Sequence, residues 1–124
     1  MYYIGKAHQY RFLRAVSENP HKCPKEYLAV LYLLSADHDL WLDTQGMRKE
    51  KAINFTMGKY LELTADQYTL YKAAQDIYAG TSYINLQDLG DYYAIPERIA
   101  SAILESLRIA RRGYSHIGVE KQFA

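Results

Sequence analysis

The run Tyr27-Leu-Ala-Val-Leu-Tyr-Leu-Leu34 carries no polar residue on any side. A helix that is apolar all round has no face to offer water and belongs at the centre of a bundle. A strand competes for any short apolar run. Pro24, Lys25 and Glu26 form a helix start, however, and a pattern continuing to Trp41 is longer than an ordinary strand. The run is also far short of the ~20 residues a membrane span requires. A chain of 124 residues, 49% hydrophobic and 23% charged, has the balance of one globular domain large enough to fold without metals or disulfides. The expected class is therefore mainly α: a compact single-domain helical bundle around residues 27–34, with roughly five helices by periodicity and stop signals.

Around this centre the signals vary in strength. A first helix is expected from about Lys6 to Ser17, with His8, Phe12, Leu13 and Val16 on one side and Asn19-Pro20 as the stop. Thr64 opens the best-marked helix, because Gln67 three residues on completes a capping box and Leu63 can staple to Tyr68. Gly80 closes it as a left-handed cap. Residues 43–63 are punctuated by Gly46 and Gly58 and stay open, with 49–53 as one short helix at most. Thr81 to Asn85 reads as a connector or a very short strand. Residues 1–63 thus hold the N-terminal helices, residues 64–112 a second half, and residues 113–124 a short tail.

That second half ends in Ile84-Asn-Leu-Gln-Asp-Leu-Gly-Asp-Tyr-Tyr-Ala-Ile-Pro-Glu-Arg-Ile-Ala-Ser-Ala-Ile-Leu-Glu-Ser-Leu107, which reads as two short helices joined by a tight corner. Pro96 suits a first helical position, and Ile99, Ala100, Ile103 and Leu107 recur behind it at helical spacing. This is a helix-turn-helix plan, a unit that often lays its second helix in a DNA major groove. Residues 96–112 would be the reading helix. Arg98, Ser101, Glu105, Arg108 and Arg112 would lie along one face, with Arg98 reaching a guanine edge and Arg108, Arg111 and Arg112 contacting phosphate. Charge argues the other way. Residues 81–112 set Asp88, Asp91, Glu97 and Glu105 against four arginines, which leaves no basic surplus for counterion release. The whole chain, at net +1, is neither a polycation nor an acidic DNA mimic.

Other residues suggest weaker chemistry. Asp37, His38 and Asp39, with Asp43 further on, supply carboxylate and imidazole for a metal or acid–base site, although His8, His21 and His116 show no pairing that would complete it. A solvated helix end is the plainer account. Cys23 is the only cysteine, which excludes an internal disulfide and a multi-thiolate zinc site and fits a reducing cytosol. It is expected to be a small buried residue. Arg48, Lys49, Lys51 and Lys59 concentrate positive charge in a segment read as a solvated loop. Thirteen tyrosines suit core, boundary and interface alike, with core and boundary favoured. No phosphate-cradling glycine loop, zinc-protease pair or nucleophile elbow is present, so no enzyme and no cofactor are expected. The first residues lack the features of a signal peptide, and a cytoplasmic protein is expected.

Two resemblances add to this. From Tyr68 to Gly113 the pattern resembles redox-sensing winged-helix repressors. His8-Gln-Tyr-Arg-Phe-Leu, Leu33-Leu-Ser-Ala-Asp-His-Asp-Leu-Trp and Asp76-Ile-Tyr-Ala-Gly resemble an uncharacterised family of small proteins from phages and mobile elements of Gram-positive bacteria. That likeness implies a compact helical fold and a mobile-element setting, and no activity. The expected function is non-enzymatic binding of a macromolecule. DNA through the helix-turn-helix unit is the first option, a host protein bound and blocked by an anti-CRISPR-type inhibitor the second, and a metal-dependent activity at Asp37, His38 and Asp39 the third. A homodimer is compatible with the first two, and no membrane is involved.

Overall fold

The computed structural model describes residues 1–119. Among them the chain is mainly helical, with seven helices in one domain: α1 (Lys6–Glu18), α2 (Lys25–Leu34), α3 (His38–Asp43), α4 (Ala65–Ala79), α5 (Leu86–Leu89), α6 (Glu97–Arg112) and α7 (Tyr114–Ile117). All eight residues from Tyr27 to Leu34 are buried, so α2 is the axis of the bundle. It is packed by α6, α4 and α1. No described helix is long and apolar enough to cross a membrane.

Several local expectations correspond to what is found. His8, Phe12 and Val16 of α1 are buried. The Thr64 hydroxyl accepts the Gln67 N–H and the Gln67 side chain accepts the Thr64 N–H, closing the capping box of α4. Gly80 ends that helix at φ 73°, where a Cβ would be strained. The helix beginning near Pro24, by contrast, does not continue to Trp41. It stops at Leu34, and Asp37 restarts the chain by accepting the Leu40 N–H at 2.9 Å. A carboxylate acceptor at an N-cap competes well with helix continuation.

Beyond Asp43, which ends α3, residues 44–63 form no α-helix. Two 3₁₀ turns, Gln45–Met47 and Phe55–Gly58, flank a single antiparallel bridge between Arg48 and Ile53. Arg48 does not belong to a solvated basic loop. Its guanidinium lies 3.5 Å from the Trp41 ring centroid and donates to the Trp41 carbonyl at 2.8 Å and the Thr44 hydroxyl at 2.6 Å. Burial pulls its pKa down to about 10, and its role is to fasten this segment to α3.

The connector after α4 is not a strand. The Asp76 carboxylate gathers it, accepting the Thr81 hydroxyl at 2.6 Å and the N–H groups of Tyr83 and Ile84 at 2.9 and 2.7 Å. Removing an acceptor of three bonds leaves donors unsatisfied at about 1–3 kcal/mol. Asp76→Ala is therefore expected to lower stability by about 2 kcal/mol and to accelerate amide exchange at Tyr83 and Ile84. Unchanged exchange at those two amides would show that the connector is held some other way.

Candidate interaction surface

The two-helix unit is present with altered proportions. Its first helix, α5, is a single turn in which the Asn85 side chain accepts the Asp88 N–H and the Asp88 carboxylate accepts the Asn85 N–H. In the corner, the Asp91 carbonyl receives the N–H groups of Ala94 and Ile95 at 3.0 and 3.1 Å. This turns Ile95 inward as the apolar plug, and leaves Tyr92 and Tyr93 exposed. Pro96 is the N-cap of α6 and not its first helical residue. Its carbonyl still accepts the N–H groups of Ile99 and Ala100.

α6 buries Ile99 and Ile103 and half-buries Ala100, as their spacing predicts, and departs from that expectation at Leu107. Ile99, Ala102, Ile103, Glu105, Ser106 and Ile109 face inward, whereas Leu107 is 42% exposed and Leu104 49%. Small residues at 102 and 106 let α6 approach α2 closely, and the close approach decides the rotation. The outer face consequently runs Glu97, Leu104, Leu107 and Arg111, with the half-buried Ala100 between the first two and the exposed Arg108 beside Leu104, at the three- and four-residue steps of one helical stripe.

The residues proposed for DNA lie in three different settings. Arg98 is ion-paired with Asp66 of α4. The Ser101 hydroxyl points to Glu97 at 3.4 Å, and Arg108 donates to the Glu105 carboxylate at 3.2 Å. Arg111 and Arg112 are exposed in the last turn, where they complement the helix dipole. Glu105 follows Arg98 and Ser101 at helical spacing, but unlike them it is not open to a groove. It is buried and bonded to His116 of α7, with the backbone of Tyr2 beside it. Burial pushes its pKa up, but the His116 hydrogen bond, the Tyr2 backbone and the nearby charges of His116 and Arg108 outweigh burial and hold it below the usual carboxylate range.

Beside Leu107 lies a mainly apolar cavity of about 370 Å³, lined by Ile77, Ile84, Leu86, Leu89 and Ile103 among others. Leu86, 85% exposed, stands at its rim. Leu86, Leu104 and Leu107 thus form an apolar surface at the α5–α6 corner. No sequence rule flags it, because Leu107 reads as a core position and Leu86 and Leu104 carry no signal of their own. What signal there is lies in an excess of apolar positions on α6 over what one buried face accepts.

No family model, curated protein or solved structure matches the chain. The site must speak through its own chemistry.

The acidic turn offers little. Asp37 is committed to the Leu40 N–H and to the Gln67 side-chain amide at 2.9 Å, while His38 and Asp39 point to solvent. Among the described residues no three His, Cys, Asp or Glu side chains are gathered as a metal would need. Cys23 is buried, between the Tyr114 hydroxyl that receives its N–H and the Glu50 carbonyl. The tyrosines divide. Tyr27, Tyr32 and Tyr71 are buried, while Tyr10, Tyr60, Tyr68, Tyr83, Tyr92 and Tyr93 are exposed.

Proposed function

We propose that the protein is a non-enzymatic binding protein that works through the α5–α6 corner, and that what it meets there is protein and not DNA. The observation that carries this is the character of α6's outer face, which sets leucines at its centre and unlike charges at its two ends. A groove-reading helix needs polar donors toward its N-terminal end and cations around it. Here that end offers Glu97 and an Arg98 already neutralised by Asp66. An exposed apolar patch rimmed by polar residues is the usual mark of a protein interface. The mobile-element setting implied by the sequence resemblance fits an interaction of this kind.

Placing a benzophenone side chain at Leu86 or Leu104 tests the idea in cells that make the protein. Irradiation should give discrete polypeptide adducts at both positions and none from the exposed Gln9 of α1. Retardation of random duplex DNA at low ionic strength, abolished by Arg98→Ala with Arg108→Ala, would instead establish the DNA alternative.

A further inference from the structure

We infer that the partner of this face is a second copy of the same chain, with two α6 helices packed antiparallel on a two-fold axis at Leu104. The inference rests on the reading of the corner as a protein-binding surface. Leu104 is the centre of the stripe. Glu97 lies seven residues before it and Arg111 seven residues after, each about 10.5 Å away along the axis. A dyad through Leu104 therefore brings Glu97 of one copy against Arg111 of the other, twice. It also lays each Leu107 over the small Ala100 and Ser101 of its partner, which allows close approach.

The charges are free to do this. Glu97 makes one long contact with the Ser101 hydroxyl, and Arg111 makes no ion pair among the described residues. Arg98 is paired with Asp66 on the flank of the helix, and Arg108, exposed beside Leu104, is paired with Glu105 and would lie over Ala100 of the other copy. A parallel pairing would set Glu97 beside Glu97 and Arg111 beside Arg111, so like charges exclude it. Isologous symmetry requires a self-complementary patch, and this stripe is one by sequence. One helix pair buries a small area, so the dimer is expected to be weak and concentration-dependent.

Sedimentation velocity over about 5–500 µM tests this, a range suited to interfaces of this size. The wild-type chain should pass from monomer to dimer. Leu104→Glu should stay monomeric with an unchanged helical circular dichroism spectrum, since residue 104 lies outside the core. Glu97→Arg should weaken the dimer at least about tenfold, and Glu97→Arg with Arg111→Glu should restore it, as coupled positions do. A wild-type chain that stays monomeric throughout, or a Leu104→Glu chain that dimerises as well as wild type, overturns the proposal. Failure of the double swap to recover what the single swap loses overturns the antiparallel register. A monomeric chain that still gives adducts with another polypeptide from Leu86 refutes only the second copy as partner, whereas a monomer with no adducts refutes the protein-binding reading as well.

Discussion

Lowering the pH from 7 to about 4 is expected to remove about 3 kcal/mol of stability through His8 alone. Its ring is 1% exposed. Nδ1 accepts the Ile4 N–H at 3.1 Å, so the proton sits on Nε2 and is donated to the Tyr32 carbonyl at 2.8 Å. Both nitrogens are used by the neutral ring, and Tyr3 and Tyr32 pack against it. Burial lowers its pKa from 6.5 to about 4, more than the Tyr32 carbonyl raises it, and Arg11 adds to the lowering. Between those values the unfolded chain binds a proton that the folded chain refuses. Stability is therefore full above pH 6.5 and falls as the pH drops toward 4. Urea unfolding at intervals through this range measures it, and His8→Gln should flatten that part of the curve. Equal slopes in the two proteins would mean that another group carries the acid response.

Glu105→Ala is expected to cost about 3 kcal/mol, the loss typical of removing one partner of a buried pair. The Glu105 side chain is 5% exposed and lies where three parts of the chain meet: α6, His116 of α7, and the backbone at Tyr2 before α1. Its deletion leaves the half-buried His116 imidazole without its acceptor and the Tyr2 backbone without the carboxylate beside it. Glu105→Gln, which keeps an acceptor, should cost less than half as much. Because the folded pKa is depressed, this contribution is present above the ordinary carboxylate pKa and is lost as the pH falls from there through the folded value. Denaturant unfolding at neutral pH checks the magnitude, and a loss below about 0.5 kcal/mol would make Glu105 a bystander.

The centre of the bundle could be read from residues alone, because eight apolar side chains in a row leave a helix no exposed face. The ends of α4 could be read for a similar reason, since Thr64, Gln67 and Gly80 act on their own backbone. The break after Leu34 was written in Asp37 but masked by the apolar run to Trp41, which continues the period across it. Residues 43–63 were illegible because their conformation depends on Arg48 reaching Trp41 and Thr44, a tertiary arrangement with no local pattern. The rotation of α6 was misread because a leucine outweighs an alanine or a serine in any hydrophobic tally. Close packing prefers the small residues. The same misreading put Leu107 with the core positions, although it belongs to the candidate surface, and placed Glu105 outside.

The shared use of Glu105 by Tyr2 and His116 has a consequence for how the molecule opens. Residues at opposite ends of the described chain depend on one side chain, and the Tyr32 hydroxyl donating to the Tyr2 carbonyl at 2.6 Å ties the same point to α2. Fraying of either end strips a partner from a charge that must stay covered, so the two ends lose their protection together. In hydrogen exchange they should behave as one cooperative unit, with loosening at α7 transmitted to the first residues across a sequence distance of more than a hundred positions.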